Sequence, residues 1–206
     1  MIRKALAIST AMVTAAVAGV LVFGPQAVAH DVELRAKLLD ADGRVVGRVD
    51  FRVGRSSMYV DARLQPNRYV TADQFHGFHV HANNDPANGK GCVADVSAAR
   101  STWFVSADGH LSEGVQGHGA HNGDMPSPLV MADGSARLAF TTDRIEPEVL
   151  RGRAVILHDR PDNFNNVPVG TAENQYSSNS DAAVALTNNT GNAGARVACG
   201  VVRRSW

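Results

Sequence analysis

The sequence predicts an all-β domain, an antiparallel sandwich or barrel of about eight short strands with two long functional loops. Short runs of the chain alternate apolar and polar residues, turn-forming residues separate these runs, and almost no stretch shows helical periodicity. Alternation of this kind is typical of an antiparallel sheet that buries one face.

The predicted strands follow one another at short intervals along the chain. The run from Val32 to Leu38 alternates apolar and polar residues, and Asp42-Gly43 supplies a hairpin turn before the next run. The later predicted strands are Val45 to Val53, Met58 to Leu64, Phe75 to Ala82, Leu129 to Met131, Ala136 to Thr142, Arg153 to His158 and Arg196 to Val202. A turn at Asp133-Gly134 predicts a second hairpin, and Pro147 to Leu150 predicts one helical turn.

Two long connections, 83–125 and 159–195, interrupt this regular pattern. Loops of this length in a compact domain are usually functional or disordered. Within the second connection, residues 170–195 are rich in Asn, Ser, Thr, Ala and Gly, which predicts that the middle of this segment is mobile. There is no internal repeat or sign of a second domain, so residues 30–206 are predicted to form one domain.

A pair of histidines on one predicted strand carries the first functional signal. His79 and His81 are separated by one residue, so both rings point to the same face of the strand. Neutral imidazole suits copper and zinc, although a solvated strand face with two polar residues is the simpler alternative. Seven of the eight histidines lie between His76 and His158, and this clustering favours a metal site.

A glycine-rich segment downstream supplies four more donors. His110, His118, His121 and Asp124 form a set that fits tetrahedral Zn²⁺, whereas a merely flexible polar loop would leave this cluster unexplained. His158 ends an apolar run that predicts a strand. A histidine in this position is often only a satisfied polar residue, but here it would complete a copper site with the first pair.

These motifs together resemble the copper/zinc superoxide dismutases of the bacterial exported type. The resemblance covers roughly residues 32 to 202 of the 206-residue chain. It depends on four segments in the family's order: His76-Gly-Phe-His79-Val-His81, His110 through Asp124-Met-Pro126, His158 followed by Asp162-Asn163, and Arg196-Val-Ala-Cys199-Gly200-Val201. It implies a Greek-key β-barrel and the dismutation of superoxide to O₂ and hydrogen peroxide.

The resemblance also implies two ligand sets that share one ring. The implied copper ligands are His79, His81, His110 and His158, and the implied zinc ligands are His110, His118, His121 and Asp124. His110 would bridge the two metals and act in catalysis as ligand and proton donor in turn.

The family pattern assigns roles to further residues. Asp162 would tie the copper and zinc ligands together from outside the coordination sphere, and Arg196 would attract the superoxide anion beside copper. The histidine at the His76 position would hold a loop by hydrogen bonds. The sequence departs from the family pattern at one place. Only Gly119 and Ala120 separate His118 from His121, whereas the family has a longer loop there. Glycine can bend tightly enough to bring both rings to one ion.

The sequence leaves two alternatives to a dismutase. A copper- and zinc-binding or delivery protein with the same fold would need neither Arg196 nor an open copper face. A hydrolytic zinc enzyme would need a general base placed as in His-Glu-x-x-His, and the sequence has no such glutamate. The retained arginine and complete ligand set favour the enzyme.

The ends of the chain and its two cysteines predict export. Arg3 and Lys4 precede an apolar run from Ala5 to Phe23, and the small-residue cleavage pattern Ala27-Val28-Ala29 follows it. Residues 1–29 are therefore predicted to be a cleaved signal peptide, with an uncleaved anchor as the alternative. Cys92 and Cys199 would then reach an oxidising compartment, where a disulfide fits better than two free thiols, and the family has this same disulfide. The expected location is the secreted, periplasmic or cell-envelope space, without stable membrane association after cleavage.

Charge composition limits the partners. Lysine plus arginine equals aspartate plus glutamate at 20 each, so the overall composition predicts no nucleic-acid partner and requires any electrostatic steering to be local. The expected partner is superoxide as a small-molecule substrate, and the expected assembly is a monomer or homodimer.

Overall fold

The computed structural model describes residues 33–205 except 55, 90, 115–116 and 164–180. The proposed signal peptide and residues 170–180 of the segment expected to be mobile therefore lie outside the described residues. The strands are β1 (Leu34–Asp40), β2 (Val45–Val53), β3 (Met58–Leu64), β4 (Gln74–Phe75), β5 (Phe78–His81), β6 (Leu129–Val130), β7 (Ala136–Thr142), β8 (Ala154–His158) and β9 (Arg196–Arg204). The helices are α1 (Pro147–Leu150) and α2 (Asp181–Thr190).

Seven of these strands form one antiparallel sheet in the order β5-β8-β9-β1-β2-β3-β7, and β4 pairs with β6 in a second, two-stranded sheet. Neighbours that are distant in sequence, such as β1 with β9 and β3 with β7, show that long connections cross between hairpins. The large sheet curls into a half-barrel consistent with a Greek-key arrangement. The predicted all-β fold is confirmed.

The core follows from alternation along the strands. In β1, Leu34, Ala36 and Leu38 are buried, and Arg35 and Lys37 between them point to the opposite face. The inward side chains of β1, β2, β3, β7 and β9 form a continuous apolar cluster inside the curl. Burial of this apolar surface is the main stabilising contribution to such a sheet.

Two predicted strands differ in detail from the structure. The expected strand from Phe75 to Ala82 divides into β4 and β5, because His76 N donates to Pro128 O and Gly77 N donates to Arg160 O instead of to a continuous ladder. The turn at Asp133-Gly134 forms, but β6 pairs with β4 rather than with β7.

The predicted helical turn at 147–150 is present as α1, whereas α2 was not predicted. The sequence of α2 contains mostly small and polar residues without an apolar stripe, so the periodicity that signals an amphipathic helix is missing. Among the described residues, no helix is both long enough and apolar enough to cross a lipid bilayer.

Candidate metal centre

Strand β5 is buried on both faces. Phe78 and Val80 point into the apolar cluster, and His79 and His81 point to the other side, where long loops cover them. All four side chains are buried even though two are polar. The alternation of the strand therefore places both rings on one enclosed face, as the sequence predicts.

The glycine-rich segment continues the hydrogen bonding along the free edge of β5. Leu111 N donates to Val80 O at 2.8 Å, and Val80 N donates to Gly123 O at 2.8 Å. Isolated bridges then pair His81 with His110 and His79 with Asp124. The loop donors are therefore positioned by the backbone of β5.

Strands β8 and β9 close the other side. His158 ends β8 and lies opposite Arg196 at the start of β9, with an irregularity in the register between Leu157 and His158. His158 is buried, and its ring centroid lies 4.9 Å from that of His79. The structure thus brings His158 next to the two histidines of β5, from which it is distant in sequence.

The first group contains His79, His81, His110 and His158, whose nearest ring nitrogens all lie within 4.8 Å of one another. Each ring has one nitrogen engaged by a neighbouring oxygen. His79 Nε2 contacts Asp162 Oδ2 at 2.5 Å, His81 Nδ1 contacts Asp108 O at 2.8 Å, His110 Nδ1 contacts Asp124 Oδ1 at 2.8 Å, and His158 Nδ1 contacts Gly194 O at 3.2 Å.

The other nitrogen of each ring is buried, and within the part of the chain that the structure describes it has no hydrogen-bond partner. These atoms are His79 Nδ1, His81 Nε2, His110 Nε2 and His158 Nε2. Buried polar atoms without partners are costly, so four in one cluster require a ligand. The engaged nitrogen can carry the proton, which leaves the lone pair of the other nitrogen available.

The second group contains His110, His118, His121 and Asp124. It is arranged around one carboxylate oxygen, Asp124 Oδ1, which lies 2.8 Å from His110 Nδ1. His118 Nδ1 and His121 Nδ1 each lie 3.3 Å from it, and His121 Nδ1 lies 3.3 Å from His110 Nδ1. His79 also lies within 4.8 Å of His110, His118 and Asp124. We assign His79 to the first group, because its Nε2 bonds Asp162 and its Nδ1 is one of the four orphan atoms.

The short loop closes by hydrogen bonds to the same aspartate. Asp124 Oδ2 accepts from Gly119 N at 2.7 Å and from His121 N at 3.1 Å. Arg144, which sequence reasoning missed, donates to the carbonyl of His121 at 2.6 Å from the outside. The two-residue spacing between His118 and His121 therefore still brings both rings to Asp124.

Asp162 joins the two groups. Its Oδ2 contacts His79 Nε2, and its Oδ1 lies 2.7 Å from His118 Nε2. Gly191 directly follows α2 at φ +60°, and a side chain there would overlap both Asp162 and His118, so only glycine fits. The end of α2 also accepts the His118 N–H at Asn188 O, at 2.8 Å.

Burial and neighbouring charges shift the pKa values of these histidines in opposite directions. Burial, together with neighbouring histidines, lowers the pKa of His110 to about 3 and holds the pKa values of His81 and His158 well below the ordinary range. Burial also acts against a charge on His118, but the hydrogen bonds that its ring makes to Asp124 and Asp162 outweigh this effect and raise the pKa to about 9. Protonation is therefore favoured on His118, between the two carboxylates, and disfavoured on His81, His110 and His158, whose neutral rings keep a lone pair available.

Arg196 lies beside the first group and is held by backbone carbonyls. It donates from Nη1 to Phe104 O at 2.7 Å and from Nη2 to Asp108 O at 2.6 Å. Asp108 O also accepts from His81 Nδ1, so a single carbonyl connects the arginine to a ring of the first group.

The Asp108 side chain holds that carbonyl in place. Its carboxylate accepts from Asn84 N, Asp85 N and Asn88 Nδ2 at 2.5, 2.8 and 2.9 Å. The backbone at Asp108 has φ +64° and ψ −161°, a region that glycine adopts far more readily. Sequence reasoning missed this residue, because an aspartate two positions before His110 resembles an ordinary turn residue.

Cys92 and Cys199 form a disulfide, with a Cα–Cα distance of 5.5 Å across 107 residues of sequence. It attaches the 83–109 loop to β9, near Trp103, Phe104 and Ile156 in a second apolar cluster. The predicted disulfide is confirmed. It lies on the same loop as Phe104 and Asp108, which hold Arg196.

His76 lies outside both donor groups. Its Nδ1 contacts His158 O at 3.0 Å and its Nε2 contacts Thr71 O at 2.8 Å. Both nitrogens are thus engaged by backbone oxygens, which is the arrangement of a histidine that supports neighbouring segments.

The fold and the two adjoining donor groups define a β-barrel metalloprotein. Residues 45–202 match the family described as copper/zinc superoxide dismutase (SODC). A protein of Mycolicibacterium paratuberculosis named "Superoxide dismutase [Cu-Zn]" is 36% identical over 168 residues, covering 78% of this chain and 70% of that relative. A protein of Deinococcus radiodurans with the same name is 30% identical over 149 residues, covering 68% of this chain and 78% of the relative.

A solved structure is also similar. The crystal structure titled as that of the clock protein EA4 aligns with a TM-score of 0.57 at 23% identity, covering 83% of this chain and 93% of that one. This similarity supports the fold alone. With the match over residues 45–202, the chain belongs to the copper/zinc superoxide dismutase family, as the sequence motifs predicted.

Proposed function

We propose that the first group binds copper and that the second group binds zinc, with the His110 ring shared between them. As a member of its family, the chain is a superoxide dismutase with copper and zinc as its metals. The four orphan nitrogens of His79, His81, His110 and His158 are the single observation that carries the copper assignment. Imidazole is a preferred ligand of copper, and four rings with one free lone pair each supply a complete nitrogen set.

The second group fits zinc by donor type and by spacing. Three imidazoles and one carboxylate are donors that zinc accepts in tetrahedral sites. A tetrahedron with bonds of about 2.0–2.1 Å has edges of about 3.3–3.4 Å. His118 Nδ1 and His121 Nδ1 both lie 3.3 Å from Asp124 Oδ1, and His121 Nδ1 lies 3.3 Å from His110 Nδ1, whereas His110 Nδ1 lies closer to Asp124 Oδ1, at 2.8 Å.

Copper, when bound, supplies one-electron chemistry, since it can take an electron from one superoxide and give it to another. The two half-reactions release O₂ and then hydrogen peroxide, and the second half-reaction consumes two protons. The protein must therefore attract an anion, deliver protons and keep its rings in place through both steps.

His110 is positioned to move one of these protons. Its Nδ1 faces Asp124 and its Nε2 faces the other three rings of the first group. We infer that Nε2 holds a proton in one half of the cycle and releases it to the product in the other half.

Arg196 is positioned to attract superoxide. Two of its donors are fixed by the carbonyls of Phe104 and Asp108, and an arginine has five N–H donors in total. The charge is therefore held beside the first group with donors to spare. A copper- and zinc-delivery protein has no need for a cation in this position, and no separate observation favours that alternative.

The proposal places the mature protein outside the cytoplasm, as a soluble monomer or homodimer in the secreted, periplasmic or cell-envelope space. The Cys92–Cys199 disulfide supports this location, because disulfides persist in oxidising compartments. The signal-like residues 1–29 support export as well.

The test is metal analysis of purified protein followed by measurement of superoxide dismutation. We expect one copper and one zinc per chain, with activity proportional to copper content. Protein that contains copper but no zinc at neutral pH would overturn the zinc assignment. Copper-loaded protein without dismutase activity would overturn the assigned roles of His110 and Arg196.

A further inference from the structure

A row of cations crosses four neighbouring strands on the outer face of the large sheet. Lys37 pairs directly with Arg48, Arg48 pairs with Arg63, and Arg63 pairs with Arg137. Neighbouring strands are about 4.8 Å apart, so the row extends over about 14 Å. Like charges directly opposite one another destabilise a sheet. A row of four therefore needs an explanation beyond folding.

The surrounding residues keep this surface cationic. We call it the basic face and define it by seven residues: Arg35, Lys37, Arg48, Arg52, Arg63, Arg137 and Arg203. The acidic residues on the same face are Glu33, Asp50 and Asp61. Because the whole chain has no net charge, this excess of cations is a local concentration that the composition conceals.

The two buried aspartates neutralise only part of this charge. Asp50 accepts from Arg35 at 2.6 Å and lies 3.1 Å from Arg48. Asp61 lies 2.9 Å from Arg63 and 3.7 Å from Arg137. Each carboxylate is therefore shared by two guanidinium groups, which leaves one positive charge in each set.

The heads of these side chains remain accessible to solvent. Arg63 and Arg137 expose 49% and 67% of their side chains, and Lys37 is exposed. The basic face lies on β1, β2, β3, β7 and the end of β9, whereas the rings of the first group lie on β5, β8 and the loop beside β5. A partner on this face would therefore leave the proposed metal centre free.

We propose that the basic face is a docking surface for a flexible linear polymer that carries closely spaced phosphate groups. The free oxygens of successive phosphates along a flexible chain can contact successive cations of the row, which lie about 4.8 Å apart. Arginine, which supplies six of the seven cations, matches phosphate with its fixed fork of donors.

The curvature of the sheet favours a polymer over a membrane surface. The apolar cluster fills the inside of the curl, so the basic face is convex. A planar bilayer would touch a convex surface over a small area, whereas a flexible chain can follow the row from β1 to β7.

The test uses inorganic polyphosphate as the probe and fluorescence anisotropy as the readout. The variant is Lys37→Gln/Arg137→Gln, which changes the two ends of the row and leaves Arg48 and Arg63 on their buried aspartates. The control is Arg44→Gln/Arg100→Gln, which removes the same charge from two exposed residues that are not among the seven of the basic face. We expect the variant to weaken binding at low salt by about tenfold or more and to reduce the slope of log K against log[salt] by about 1.4. The control should bind like wild type.

Equal weakening in both double variants would show attraction to overall charge and would overturn the proposal. Absence of wild-type binding at low salt would do the same. Tighter binding to vesicles of phosphatidylglycerol and phosphatidylcholine than to polyphosphate, at equal phosphate, would identify a membrane surface instead. Dismutase activity should stay unchanged in the variant, because neither residue belongs to the proposed metal centre.

Discussion

The two donor groups of this protein are built in different ways. Three rings of the first group belong to β5 and β8, so the paired strands of the large sheet hold them. His118, His121 and Asp124 of the second group lie on a loop that the sheet contacts mainly through β5, and the loop closes around Asp124 itself. The first group should therefore keep its geometry when one ligand is removed, whereas the second group should lose its geometry.

The largest expected effect follows from removing the His158 ring of the first group. We expect His158→Ala to lose copper binding and essentially all dismutase activity while the protein stays folded, because β8 keeps its pairing with β5 and β9. Metal analysis, activity and circular dichroism would measure this. His76→Ala is the matched control, since it also removes a buried ring but should lower only stability. Full activity in a copper-free His158→Ala protein would refute the copper assignment.

Substitutions of Arg196 test whether an anion can reach the first group. A unit charge about 5 Å from superoxide, at an effective dielectric near 20, contributes roughly 3 kcal/mol before screening, and solvent should reduce this by about half. We therefore expect Arg196→Ala to lose about a decade of kcat/KM and Arg196→Glu to lose more, with both metals retained. Added salt should slow the wild type more than Arg196→Ala. Arg151→Glu controls for net charge, and unchanged activity in Arg196→Glu at low salt would remove the steering role.

Removal of a ligand from the second group should lower the thermal stability of the protein more than its activity. Asp124→Ala removes the oxygen that the three rings share and the acceptor for two loop N–H groups. Loss of about 100-fold in zinc affinity corresponds to about 2.7 kcal/mol of stabilisation by binding, or a fall in Tm of about 5–10 °C in the zinc-loaded protein. Activity at saturating copper should fall much less. A Tm fall equal in metal-free and zinc-loaded protein would show that Asp124 supports only the loop.

The difference between the regions also explains what the sequence could predict. The strand period of two indicated that His79 and His81 share a face, and the same alternation predicted β1, β2 and β3. The position of His158 at the end of an apolar run indicated a third copper ligand, and the resemblance supplied Asp162 and Arg196. The sequence did not predict the contacts that depend on backbone atoms. These contacts are made by the carbonyls of Phe104, Asp108 and Gly194 and by the end of α2, and no side-chain pattern indicates them.

The basic face shows a second limit of sequence reasoning. Equal numbers of acidic and basic residues predicted no nucleic-acid partner, but composition does not record which residues share a face. Arg35 and Lys37, or Asp61 and Arg63, are two positions apart and therefore point the same way. Only the register between strands places Lys37, Arg48, Arg63 and Arg137 in one row.

The pH dependence of the metal-free protein should separate the two groups. The pKa of His110 is lowered to about 3, so the unfolded chain binds more protons from about pH 3 to 6.5, and stability should rise with pH over that range. The pKa of His118 is raised to about 9, so its contribution is present below about pH 6.5 and is lost as pH rises through 9. We expect the Tm of metal-free protein to be highest near pH 6.5. In His118→Gln the alkaline decline should flatten while the acid decline remains, and an unchanged alkaline decline would contradict the assignment.

The smallest effect concerns Asp108, which connects Arg196 to the ring of His81. Asp108→Gly relieves a backbone that glycine adopts readily but removes the acceptors for Asn84, Asp85 and Asn88 Nδ2. These opposing changes should leave Tm nearly constant. The looser carbonyl should reduce kcat/KM at low salt on the order of threefold, which is about 0.7 kcal/mol and typical of one weakened hydrogen bond.

Asp108→Asn is the matched control, since it keeps a side-chain oxygen to accept the backbone N–H groups and should retain nearly full activity. A readout besides activity is the exchange rate of the His81 Nδ1 proton measured by NMR, because that proton is donated to Asp108 O. Exchange should be faster in Asp108→Gly than in Asp108→Asn. Identical exchange and activity in the two variants would show that the carboxylate has no part in positioning Arg196, and that the loop alone fixes the carbonyl.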